Sequence, residues 1–383
     1  MSSHAIRFRL GFLALALPLI ALPAQAASPQ AIAEYRRLLA EYQQVHGAFE
    51  EEAGAYWSSI AEKRRGRNAK RRDHLPIALD DYVLTQPPIY SGPKRPMNPE
   101  PEAEPEARPP RQYKAIPVVG DLLQAANEHF QWTPQKPVSE IEFKRAYARY
   151  AQAAGLTREQ AVRVYSFETG GTGNYDVQAG IEHGGKRAIS TAMGYNQLLT
   201  TNSVELMAEQ GQEFVKELTV RAAGLSGPPR QVMDRKIAVL KKMVAYARSV
   251  PDDWSAHQKL ADTPQGWAVH AMVLDVDVGP MLQTHKLLTS VIFARAKGYT
   301  HPLTAAELEM MNLTGDGTGL DMVTMPQAMR DQVPTSNFFQ RGGYERNPVA
   351  IRHNTVAKLL SITDSRMDSN SNLPGAKELA GAF

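Results

Sequence analysis

The chain has 383 residues, 43% of them hydrophobic and 22% charged, with a formal net charge of +3. That length and apolar fraction suffice to bury a substantial core. The small net charge gives nucleic-acid binding no support, and the lack of cysteine excludes disulfides and a lipoprotein anchor.

Residues 1–26 read as a secretory signal. Arg7 and Arg9 precede the apolar run Leu10–Leu22, and Ala24-Gln25-Ala26 forms an Ala-x-Ala cleavage site. Pro18 and Pro23 interrupt the run, which is short for a span of about 20 residues, so a membrane anchor ranks second. Loss of the signal removes two positive charges and takes the chain from +3 to +1.

Residues 27–73 form an amphipathic segment of one or two helices. Ile32, Tyr35, Leu39, Tyr42, Val45 and Phe49 recur at helical spacing, and Tyr56, Trp57 and Ile60 resume the pattern. Such a face packs on the main domain, a second copy or an envelope partner. The basic run Lys63–Arg72 is expected to be a solvated connector, the alternative being contact with an anionic surface such as lipid headgroups. Residues 74–115 are proline-rich, with Asn98–Arg111 an extended Pro/Glu linker and Asp80–Tyr90 an arm able to lie on the folded part.

From Ile116 the pattern is helical. Expected helices are 121–130, 139–154, 157–168, 203–222, 230–248, 265–274, 280–297, 304–311, 325–332 and 348–363, with 364–383 a flexible tail. Without strand alternation or repeats, residues 116–363 read as an orthogonal all-α domain. Thr314–Asp321 reads as a glycine-rich turn, since it is too short for an EF-hand loop and has no closing Glu. The ten histidines are scattered and no His-Glu-x-x-His occurs, so neither a metal nor a cofactor is expected. His270 and Asp275 read as a core pair. Phe338–Tyr344 reads equally as a packed loop or as part of a sugar groove.

The stretch carrying chemistry is Thr157–Thr200. Thr157 and Gln160 make a capping box, and Ala161, Val164 and Tyr165 share one helical face. Glu168 extends that face just before Gly170 and Gly171 end the helix. A carboxyl desolvated there is held protonated, as a general acid must be. On the helix alone, a terminal carboxylate whose tip reaches water is the first explanation of Glu168, and the motif that follows reverses that order.

Phe167-Glu168-Thr169-Gly170 and Ala192–Leu199 together resemble the lytic transglycosylases with a lysozyme-like domain (the soluble type, glycoside hydrolase family 23). Gly194 and Gln197 match that family's glycine-led segment, while Thr169 and Asn196 stand where Ser and Met are usual. Asp277–Leu282 and Leu308–Gly315 resemble its late helix pair. There Asn312 matches, but Met311 stands where a tyrosine is usual, leaving Tyr175, Tyr195 and Tyr344 as candidate replacements. The resemblance spans roughly residues 157–319.

It implies a lysozyme-like fold and a periplasmic enzyme that cleaves the MurNAc-β-1,4-GlcNAc bond of peptidoglycan glycan strands. Glu168 would act as acid and then base, the muramyl 6-hydroxyl would attack, and a 1,6-anhydro product would leave. Thr169, Gly194, Tyr195, Asn196, Gln197, Asn312 and Tyr344 would bind the sugar. No second carboxylate is expected, although Asp176 or Glu182 would permit a water-using muramidase, and Asp316 and Asp321 lie near the matched motifs. The rival from another class is a non-catalytic wall-binding or scaffold protein that keeps the groove.

Overall fold

The computed structural model describes residues 27–100, 115–181 and 187–383. The expected signal, most of the Pro/Glu linker and Glu182 lie outside those residues. No described helix is long and apolar enough to cross a membrane. The architecture is all-α. Among the described residues the only β pairing is three isolated bridges, Gln178 with Met193, Met193 with Leu198 and Pro334 with Thr355.

Contacts divide the chain into two units. The first combines residues 27–54 with 88–100. It is the opening part of helix α1 (Pro29–Arg72), where Tyr42, His46 and Phe49 surround the ring of Tyr90 at centroid distances of 6.4, 5.2 and 5.2 Å.

The second unit holds residues 55–87 and 115–383. Its basic run is not the solvated connector expected. Arg67 is 1% exposed and its Nε donates to Asp321 at 3.0 Å. Arg71 also pairs with Asp321, Tyr82 donates its hydroxyl to the same carboxylate, and Lys70 pairs with Asp81. Periodicity describes where apolar residues fall; it carries no information about cations recruited by a carboxylate 254 positions away. The arm at Leu79–Asp81 is a short 3₁₀ turn, and Tyr82 after it is buried.

Helices α2 (Val119–Phe130), α3 (Glu140–Ala153), α4 (Arg158–Glu168), α5 (Thr200–Ala223) and α6 (Gly227–Ala247) follow the expected periodicity to within a few residues. Helix α7 (Trp254–Ala261) was not expected. Then come α8 (Pro264–His270), α9 (Val278–Ala296) and α10 (Ala305–Thr314). The glycine-rich turn is instead helix α11 (Asp316–Val323), which starts after Gly315 takes φ +83°. The expected 325–332 helix shrinks to α12 (Gln327–Arg330). After α13 (Arg341–Glu345), the expected 348–363 helix breaks into α14 (Pro348–Arg352) and α15 (Val356–Ser371).

The flexible tail is also corrected. Helix α16 (Pro374–Ala382) closes the chain with Ala376 and Leu379 fully buried and Glu378 2.6 Å from the buried Lys144. A polar average over 364–383 hides the spacing of these few apolar contacts.

Three apolar clusters result. One joins α2, α5, α6 and α8; a second joins α3, α4, α9, α10 and α16. The third gathers Tyr82, Met310, Met322, Phe338, Phe339 and Tyr344. Phe338–Tyr344 is therefore a packed segment. His270 and Asp275 are both buried but not paired together: His270 meets Ser203 and the Thr191 carbonyl, and Asp275 meets Lys236.

Candidate active site

Helix α4 begins with the expected reciprocal cap. Gln160 N donates to Thr157 Oγ1 and Thr157 N to Gln160 Oε1, both at 3.1 Å. Its apolar face buries Ala161, Val164 and Tyr165. Gly170 and Gly171 then turn the chain away at φ +65° and +74°. A side chain at Gly171 would collide with the Asn370 carbonyl, so both its conformation and its neighbour call for glycine. This abrupt end leaves Glu168 half-buried on the last turn.

The carboxyl meets helix α10 there. Asn312 Nδ2 donates to Glu168 Oε1 at 2.8 Å and approaches Glu309 Oε2 at 3.5 Å. Desolvation raises Glu168 to about 7, opposed by the nearby Lys286 ammonium and the Asn312 hydrogen bond. Glu309, 2% exposed, is pushed well above the carboxylate range by burial and then by the charge of Glu168.

Asn312 also lines a cavity of about 400 Å³. Its walls include Asn202, Glu205 and Glu209 of α5, Trp254 of α7, Lys286 of α9, Asn312 of α10 and Asp316 of α11. Asn312 is thus shared between the cavity and Glu168. Lys286 makes no ion pair or hydrogen bond among the described residues. Burial depresses its ammonium from the lysine range, and Glu168, Glu309, Asp316 and Glu205 oppose that. Glu205 rises to about 7 through burial and the like charge of Glu209.

Most of the other expected sugar-binding residues build the scaffold. Thr169 is buried and its hydroxyl caps the Tyr165 carbonyl at 2.8 Å. Gly194 takes φ +77°, and a Cβ there would collide with Gln283 Nε2. Tyr195 is fully buried, edge-on to Tyr165, Phe143 and Tyr147 at centroid distances of 4.9, 5.3 and 5.4 Å, and its hydroxyl donates to Glu140. Edge-on pairs of this kind contribute about 0.5–1.5 kcal/mol each. Asn196 is fully buried too: its amide donates to the Gln283 carbonyl at 2.7 Å and to Tyr147 at 3.1 Å. Gln197 takes φ +45° and folds back to donate to the Gly194 carbonyl at 2.9 Å. Tyr344 packs in the third cluster against Trp57 and Phe339.

The matched Gly194–Gln197 segment is therefore a tight turn, closed by the Met193–Leu198 pair at 2.9 and 3.0 Å and clamped by buried Gln283. It delivers the first turns of α5 to the cavity. Among candidate acids, Asp321 is committed to Arg67, Arg71 and Tyr82, whereas Asp316 lines the cavity and accepts the Ser290 hydroxyl. Glu205, Lys286, Trp254 and Glu309 escaped sequence reasoning. Only Glu309 carried a signal, standing one turn before Asn312. The described residues contain no group of three or more His, Cys, Asp or Glu able to hold a metal ion.

Comparison with protein-family models, curated proteins and solved structures finds no match to this chain.

Proposed function

We propose that the protein is an exported, lysozyme-like glycosidase that cleaves the MurNAc-β-1,4-GlcNAc bond of peptidoglycan, with Glu168 donating the proton to the leaving oxygen. The observation that carries this reading is the Glu168–Asn312 contact: a carboxyl raised to about 7 and held at 2.8 Å by an amide that also lines a cavity. The family resemblance also marks Glu168 and Asn312 as site residues. A half-protonated carboxyl near neutral pH both gives and retakes a proton, as one residue acting as acid and then base must. Asn312 supplies an amide able to orient an N-acetyl or hydroxyl group, and Trp254 supplies an aromatic wall.

Two acceptors are chemically open to the cleaved sugar. The resemblance implies the muramyl 6-hydroxyl, which would make the protein a lytic transglycosylase with a 1,6-anhydro product. Glu205 on the cavity wall favours the second reading, a water-using muramidase. Digestion of purified peptidoglycan sacculi, followed by mass spectrometry of the products, tests the proposal. Muropeptides released by the wild type and not by Glu168→Gln support it, and intact sacculi after wild-type treatment contradict it. A non-catalytic wall-binding protein would bind sacculi without releasing fragments. N-terminal sequencing of the periplasmic protein tests export, with Ala27 the expected first residue.

A further inference from the structure

We propose that Glu205 is the base that activates a water molecule for attack on the sugar carbon of the bond that Glu168 protonates, so that the reaction is hydrolysis. This rests on the reading of Glu168 as the acid.

The geometry comes from α5. The Gly194–Gln197 turn fixes the start of that helix, and Glu205 follows in its second turn as a half-buried wall of the cavity. Asn312, which holds Glu168, lines the same cavity from α10. Glu205 lines this volume of about 400 Å³ directly, and Glu168 is joined to it through its hydrogen bond with Asn312. That volume has room for a sugar unit and for water, which occupies about 30 Å³ per molecule in the liquid. Trp254, 45% exposed, offers its ring to the same space.

The other acids nearby fit the role less well. Glu309 is 2% exposed and out of reach of solvent. Glu209 is exposed, and Asp316 is engaged by Ser290. The charges facing Glu205 are Glu209 from its own helix, Asp252 ahead of α7, Lys286 from α9 and Asp316 from α11. Burial and the three carboxylates hold it near 7 against the pull of Lys286, and a base poised near the working pH is the most effective kind.

The step balances as follows. Glu168 gives its proton to the glycosidic oxygen as the bond from the muramyl C1 breaks. The water oxygen bonds to C1 and its proton passes to Glu205. The products are a reducing muramyl end and a free 4-hydroxyl on the next sugar. Exchange with solvent returns both carboxyls to their starting states. A water held by a base on the face opposite the leaving group inverts the anomeric centre.

The test digests sacculi in H₂¹⁸O with the purified protein. Wild type is expected to release reducing muramyl ends carrying one ¹⁸O. Glu205→Gln should slow that release by about 10²–10⁴-fold. Azide, a nucleophile needing no base, should restore cleavage by Glu205→Ala and leave a glycosyl azide, which a misfolded variant cannot do. Anhydro ends alone from wild type, with Glu168→Gln inactive, would overturn the role of Glu205 and leave that of Glu168 standing. Wild-type rates in Glu205→Gln would overturn it as well, and wild-type rates in Glu168→Gln would overturn both assignments.

Discussion

Asn312 Nδ2 lies 2.8 Å from Glu168 Oε1, joining the last turn of α4 to a helix 144 residues later in the chain. The bond favours the ionised carboxyl and so holds its pKa down. Asn312→Ala should therefore raise the pKa of Glu168. Hydrogen bonds to charged groups contribute about 1.5–3 kcal/mol, so the alkaline limb of kcat/KM should move up by about one pH unit or more. A limb that stays in place would mean that Asn312 does not bond Glu168 in solution.

The proposed mechanism requires Glu168 protonated and Glu205 ionised. Loss of the Glu168 proton lowers the rate as pH rises through about 7, and protonation of Glu205 lowers it as pH falls through about 7. The profile of kcat/KM should be a narrow bell centred near neutrality. Both acids face Lys286, so each limb shifts with the charge of the other groups around that ammonium. Glu205→Gln should abolish the acid limb and keep the alkaline one. Loss of the alkaline limb instead would exchange the two roles.

The end of α1 is held by charge. Asp321, 6% exposed, accepts from Arg67 and Tyr82 and pairs with Arg71. Asp321→Ala leaves Arg67 buried without its carboxylate, a change that typically costs about 3–5 kcal/mol. Urea denaturation followed by circular dichroism should show a midpoint lowered accordingly. An unchanged midpoint would mean that α1 does not dock through this ion pair.

Helix α16 is part of the core. Leu379 is fully buried, and Leu379→Ala should destabilise the protein by about 2–5 kcal/mol. Removing residues 373–383 should cost more, since it also strips Glu378 from the buried Lys144. The same denaturation experiment decides. A truncated protein as stable as the full chain would restore the flexible-tail reading.

What could be read from the sequence was whatever local chemistry determines. The Thr157–Gln160 cap, the apolar face of α4 and the stop at Gly170-Gly171 involve residues within a turn of one another, and all three form. Glu168 was legible because it ends that face, and Asn312 because of the motif it matches. Tyr195, Asn196 and Gln197 look polar and available in one dimension; Tyr195 and Asn196 bond inward to Glu140 and Gln283 behind the turn, and Gln197 folds back on the Gly194 carbonyl. Glu205 and Lys286 sit on helices whose periodicity is ordinary, and only the meeting of α5, α9 and α10 brings them to one cavity with Asn312, the partner of Glu168. Arg67 was hidden in the same way, its partner being 254 residues distant.

The central claim, that Glu168 is the proton donor, is tested most directly by Glu168→Gln. The amide keeps the shape of the side chain and has no acidic proton. The measurement is the rate of muropeptide release from purified sacculi, by wild type and variant at equal concentration, with circular dichroism confirming that both are folded. Loss of general-acid catalysis should slow the folded variant by about 10²–10⁴-fold. Release at more than about a tenth of the wild-type rate would contradict the assignment.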